Sequence, residues 1–175
     1  KAQIKVNHAK GLIDGKSSFI HIKAKAATKI LVFGDIHGSF HSLLRDFVYL
    51  RDNGFVTEDL KLKNDQLFLI FNGDFINRSP YSVDALILLS LLMEKNPERV
   101  IYVGGKHERD GYWMDYSLKH ELISRGRLFS KQAIPFKEQS LTFFASLPAA
   151  VYLSGSKDTK DVVRISFFGR NQLGF

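Results

Sequence analysis

Three short apolar runs, each halted by glycine and followed at once by polar residues, restrict this chain more than anything else in it. They read "KILVFGDIHG" from Lys29, "DQLFLIFNGDFINRS" from Asp65 and "ERVIYVGGKHE" from Glu98. Continuous apolar runs of this length predict strands buried on both faces. The segments between them carry helical spacing. In "SFHSLLRDFVYLRDNG", Phe40, Leu43, Leu44, Phe47 and Leu50 recur at helical intervals, with Ser39 as a candidate N-cap and Gly54 near the stop. "SPYSVDALILLSLLMEKN" reads as a second helix with Pro80 in its first turn. Strands alternating with helices require parallel pairing through right-handed crossovers, so the fold class is α/β.

Further on, "YWMDYSLKHELISRG" and "FKEQSLTFFASL" read as helices, and "AAVYLSG" and "DVVRISFFG" as strands joined by the polar loop "SGSKDTKD". Ahead of the alternation, residues 1–27 read as an N-terminal β-ribbon or leader. There "QIKV" and "FIHIK" alternate with period two around an Asp-Gly turn in "IDGKS".

In parallel α/β sheets, ligands bind outside the carboxyl ends of the strands. The loops "GDIHG" (34–38), "GDFINRS" (73–79) and "GGKHE" (104–108) are therefore expected to meet in one crevice. Asp35 and His37, one residue apart in a turn, can reach a single ion, and Asp74 can add a second carboxylate from the neighbouring strand. The chain has no cysteine, so a metal has to be held by His, Asp, Glu or Asn. Two carboxylates and an imidazole suit Mn, Fe or Zn, with water completing the shell. A P-loop is not specified, because "GGKH" lacks the Ser/Thr after Lys and the earlier Gly.

A net charge of +7 favours acidic or phosphorylated partners, yet Lys and Arg are scattered, so nucleic acid is not the expected partner. The most apolar segment, Ala85 to Met93, is about half the length needed to cross a bilayer. That predicts a soluble protein without a membrane segment.

Taken together, "GDIHG…GDFINRS…KNPERVIYVGGKHE" resembles the phosphoprotein phosphatases, the metal-dependent serine/threonine phosphatases and their bacterial relatives, whose signatures read GDxHG, GDxxDRG and GNHE. The resemblance runs from about Lys29 to Leu153 and takes in "FASLPAAVYL". It implies a calcineurin-like metallophosphoesterase β-sandwich flanked by helices, only part of which this chain represents. Residues 28–175 would be its catalytic domain, incomplete on the C-terminal side. It also implies a hydrolase acting on phosphomonoesters of phosphorylated proteins.

By the same resemblance, Asp35 and His37 would bind a first divalent metal, foremost Mn with Fe or Zn as alternatives. Asp74 would bridge to a second metal, with a bound hydroxide attacking phosphorus in line. Arg78 would grip phosphate oxygens, His107 would protonate the leaving oxygen, and Glu108 would be the structural acid of its loop.

The chain departs from the pattern in ways that share a direction. Lys106 stands where the family has an asparagine that binds the second metal, and an ammonium has no lone pair to give. Asn77 stands where the family has the acid that orients the general-acid histidine, although an amide oxygen can still accept a hydrogen bond. All six histidines lie within the first 120 residues. "ISFFGRNQLGF" puts Gly169 and Arg170 where a later metal-binding histidine would fall. The expected site thus holds one or two ions, with Lys106 available to steady phosphate.

Bacterial effector phosphatases delivered into host cells also use this fold with altered motifs, and by that resemblance the expected location is a cytoplasm, the cell's own or a host's. Two alternatives stay open: a pseudophosphatase that binds phosphorylated partners without hydrolysis, and, from "NRSP", a dinucleoside polyphosphate hydrolase.

Overall fold

A computed structural model describes residues 3–8, 18–109, 113, 115–125, 133–155 and 162–165. The three apolar runs form strands β3 (Lys29–Phe33), β4 (Leu67–Phe71) and β5 (Val100–Tyr102). They pair in parallel in the order β3-β4-β5. The alternation of helices supplies the crossovers: α1 (Phe40–Asp52) joins β3 to β4, and α2 (Ser82–Lys95) joins β4 to β5.

A second sheet holds β1 (Gln3–His8), β2 (Ser18–Lys23), β6 (Ala150–Ser154) and β7 (Val162–Ile165), in the order β1-β2-β6-β7. β1 and β2 pair antiparallel, while β2 runs parallel to β6. The N-terminal strands are thus hydrogen-bonded into the same sheet as the C-terminal ones. The Asp-Gly turn expected in "IDGKS" lies outside the described residues, as does most of the "SGSKDTKD" loop.

The alternation of side chains along β4 explains the layering. Phe68 and Ile70 point into a core shared with Ile22 of β2 and Val151 of β6, so the two sheets pack face to face. Leu67, Leu69 and Phe71 point the other way, into a core with Leu43 and Phe47 of α1 and with Ala85, Leu89 and Leu92 of α2. The result is a β-sandwich with helices on its outer face, the α/β architecture the sequence implied.

β4 is buried along its whole length, as an unbroken apolar run requires. β3 corrects the sequence reading. It lies at the margin of its sheet, and Val32 is half exposed, so this equally apolar run is not buried on both faces.

The helices differ at their starts. Ser39 occupies the position before α1 but makes no capping bond; its hydroxyl donates to Ser42 Oγ instead. Pro80 precedes α2 instead of sitting in its first turn. Cover for that helix start comes from a distance, where the Val83 N–H donates to the buried Glu121 carboxylate at 3.1 Å. Glu121 belongs to α3 (Ser117–Ser124), which begins five residues later than the "YWMDY" spacing predicts. Helix α4 (Ala133–Ser146) starts ahead of the predicted Phe136 and carries Pro135 within its first turn, where a missing N–H costs little.

Candidate active site

The carboxyl ends of β3, β4 and β5 meet as the strand order demands. Ligand atoms of His37, Asp74 and His107 all lie within 4.8 Å of one another. Four of the six non-glycine residues with positive φ among the described residues sit in these loops: His37, Asp74, Asn77 and Arg78. Backbone strain of this kind, of order 1–3 kcal/mol per residue, persists only where the surroundings over-determine the conformation.

Those surroundings are visible in the hydrogen bonds. The Asp74 carbonyl accepts from Ile36 N–H at 3.2 Å and His37 N–H at 2.9 Å, and Phe75 O accepts from Gly38 N–H at 2.7 Å. These bonds tie the first loop to the second. The buried Glu108 carboxylate ties the second to the third. Its Oε2 accepts from Asp74 N–H at 3.0 Å and Gly105 N–H at 2.8 Å, and its Oε1 accepts from Phe75 N–H at 2.9 Å and Ile76 N–H at 3.3 Å. Burial pushes the Glu108 carboxyl above its ordinary range, and the backbone donors oppose that shift.

Gly105 is where the loops come closest. A Cβ there would overlap the Asp74 backbone nitrogen and stand 2.5 Å from Asp74 Oδ1 and 2.6 Å from Glu108 Oε2. None of these groups is the free end of a flexible chain. Gly105→Ala is therefore expected to force the second and third loops apart. The thermal midpoint should fall by several degrees and divalent-metal affinity should drop with it, measured by a melting curve and a metal titration.

The two histidines present opposite faces. His37 Nδ1 lies 3.2 Å from the Ile76 carbonyl, which can only accept, so the ring proton sits on Nδ1. Its Nε2 is buried, has no hydrogen-bond partner, and lies 3.6 Å from Asp35 Oδ2. A lone pair and a carboxylate oxygen facing each other, with Asp74 close by, suit a cation between them. A ring whose other nitrogen is fixed by a backbone carbonyl has the usual arrangement of a metal ligand. Asp35 itself is half exposed and stands at the rim of the cluster.

His107 is buried and is held through its neighbours. Its backbone N–H donates to Asp74 Oδ1 at 3.0 Å, and the His37 and Tyr116 rings meet it edge-on at 5.0 and 5.1 Å. Burial holds its imidazole below the ordinary range; the Asp74 charge opposes this, while His37, Arg78 and Lys106 reinforce it.

Asn77, fully buried, bridges His107 and α3. Its Oδ1 accepts the Leu118 N–H at 3.1 Å, and its Nδ2 lies 3.0 Å from His107 Nδ1. The sequence reading had the amide oxygen facing the imidazole. The nitrogen faces it, because the helix N–H has claimed the oxygen.

Arg78 and Lys106 are exposed, and both act electrostatically on His107. Gly169 and Arg170 lie outside the described residues. Sequence reasoning missed Tyr116, Leu118 and Glu121, which touch the site or its helices from a segment bearing no local motif. The αL-tolerant residue types at 37, 74 and 77 were the one visible sign of the strained loops.

Comparison with known proteins agrees with this geometry. Residues 28–168 match the family model for calcineurin-like phosphoesterases, and the chain belongs to that family. It is similar to serine/threonine-protein phosphatase SIT4 of Candida albicans, with 34% identity over 96 residues, 55% of this chain and 28% of that protein. A solved serine/threonine phosphatase from Saccharomyces cerevisiae, described as similar to human phosphatase PP5, matches 75% of this chain and 39% of its own, at 26% identity and a TM-score of 0.56. A cold-active protein-tyrosine phosphatase of a psychrophilic Shewanella species shares the fold at 16% identity and a TM-score of 0.56, covering 75% of this chain and 41% of that one. The chain spans only about a quarter to two fifths of the length of these relatives.

Proposed function

We propose that this chain forms the metal-binding part of a phosphatase that hydrolyses phosphomonoesters on phosphorylated proteins. The observation that carries the proposal is the buried, unpartnered His37 Nε2 facing Asp35 beside Asp74. Asp35, His37 and Asp74 hold a divalent ion, with Mn proposed ahead of Fe or Zn. When bound, such an ion makes water a stronger nucleophile and neutralises charge on the transferring phosphoryl group.

The chain's own residues do the rest. Arg78 and Lys106, both at the exposed rim, grip phosphate oxygens, Arg78 through its planar fork. His107, oriented by Asn77, faces the leaving oxygen. The relatives are named protein phosphatases, which favours this reading over a dinucleoside polyphosphate hydrolase or a non-hydrolysing binder. The protein is proposed to be soluble and to act in a cytoplasm, its own or, as an effector, a host's. In support, no helix among the described residues is long and apolar enough to cross a membrane.

Release of phosphate from phosphopeptides by the Mn-supplied chain tests the proposal. Expected is turnover of phosphopeptides in preference to diadenosine tetraphosphate; the reverse preference would overturn it.

The metal count follows from Lys106. A protonated lysine cannot ligate, but its charge beside Asp74 replaces a second cation. Metal analysis of the purified chain is expected to find one tightly bound ion, and Lys106→Asn is expected to bind a second. Two ions in the unsubstituted chain would sink this part of the proposal.

A further inference from the structure

Ser82 opens α2 but does not cap it. A serine at a helix start ordinarily accepts a hydrogen bond from an N–H of the helix's own first turn. Here the first-turn N–H of Val83 goes to Glu121 Oε1 at 3.1 Å, and the fully buried Ser82 hydroxyl turns back toward the preceding loop. It accepts the Asn77 N–H at 3.0 Å and donates to the Ser79 carbonyl at 3.4 Å. Those two groups stand on either side of Arg78. A hydroxyl has one proton to give and lone pairs to offer, so this single side chain closes the turn from both ends.

Arg78 needs such a closure. Asn77 and Arg78 both have positive φ, 70° and 65°. Asparagine tolerates that region through its short polar side chain; arginine has no such group to bond the local backbone. The Arg78 side chain is also exposed, so its aim depends on its backbone more than on packing around it.

Ser82 is itself fixed from two directions. A Cβ on Gly38, the neighbour of His37, would stand 2.6 Å from Ser82 Oγ and 3.0 Å from its backbone nitrogen, so the first loop lies directly against it. From α3, Glu121 holds Val83, and Arg125 pairs with both Glu121 and Asp84. Ser82 has little room to follow the loop; the loop has to follow Ser82.

Resting on the phosphatase reading above, we infer that Ser82 is the positioning residue for Arg78. Its hydroxyl keeps residues 77–79 in the conformation that aims the guanidinium at phosphate oxygens. Ser82 touches no substrate itself, and its effect passes through Arg78. Displacing a substrate-orienting group by about 1 Å can cost about a hundredfold, which sets the scale of what the hydroxyl controls.

Two Ser82 variants, each made with and without Arg78→Ala, test this. Ser82→Ala removes the hydroxyl, and Ser82→Cys fills the same space with a sulfur that donates and accepts only weakly. Affinity for inorganic phosphate and kcat/KM on a phosphopeptide are measured on the chain supplied with Mn. Expected for Ser82→Ala is a loss of about ten- to a hundredfold in both quantities, with a smaller loss for Ser82→Cys. With Arg78 already alanine, the same substitutions should cost less than about twofold more. Lys106 still holds phosphate in that background, so the affinity stays measurable.

Equal losses with Arg78 present and absent would overturn the inference, because a serine that serves only the fold acts alike in both backgrounds. So would variants that bind phosphate as the parent does, or a chain that folds with neither substitution. A folded parent that binds phosphate but releases none from peptides would sink the phosphatase reading alone. The four phosphate affinities would still decide the role of Ser82.

Discussion

Glu108→Ala is expected to cost this chain more stability than any other single change in its loops. Four backbone N–H groups, those of Asp74, Phe75, Ile76 and Gly105, end on that one buried carboxylate. Removing it leaves four donors without acceptors in a region water does not reach. At about 1 kcal/mol each, the low end for an unsatisfied buried donor, the loss is about 4 kcal/mol. For a domain of this size that corresponds to a fall in thermal midpoint of about 8–16 °C. Glutamine is a poor rescue. With its oxygen toward Phe75 and Ile76, its NH₂ faces the N–H groups of Asp74 and Gly105, donor against donor. Melting curves check both variants; an alanine variant within 2–3 °C of the parent, a margin set by about 1 kcal/mol, would show that the loops are held by something else.

Asp74→Asn is the second large effect, and it acts on activity with the fold kept. Asp74 Oδ1 accepts the His107 N–H at 3.0 Å, and an asparagine of the same shape can retain that bond through its own Oδ1. What it loses is the negative charge at the centre of the cluster. A bound ion supplies several kcal/mol of transition-state stabilisation, so turnover of p-nitrophenyl phosphate with Mn should fall by about a thousandfold or more. The melting curve without metal should barely move. The contrast with Glu108 is the useful part: one carboxylate serves the backbone, the other serves the site, though both are buried within a single loop cluster.

Much of the arrangement was legible from the chain itself. The parallel order of β3, β4 and β5 followed from strands alternating with helices, and the meeting of His37, Asp74 and His107 followed from that order. What escaped the sequence depended on partners distant along the chain. β3 and β5 lie at opposite margins of one sheet, yet β5 is buried throughout and β3 is not, because burial is set by what packs over a strand and not by the apolar run itself. The start of α2 depends on Glu121, 38 residues further on, so no local capping signal marks it. The amide of Asn77 was legible as a residue but not as an orientation, since Leu118 N–H decides which end faces His107.

The central claim is that three strand-end loops build a divalent-metal phosphatase site. It is tested most directly by following p-nitrophenyl phosphate hydrolysis through removal and return of metal. The account predicts turnover that disappears on chelation, returns with Mn, and stays absent in Asp74→Asn treated the same way. Turnover that survives complete chelation, or a folded, Mn-supplied chain no faster than Asp74→Asn, would contradict it.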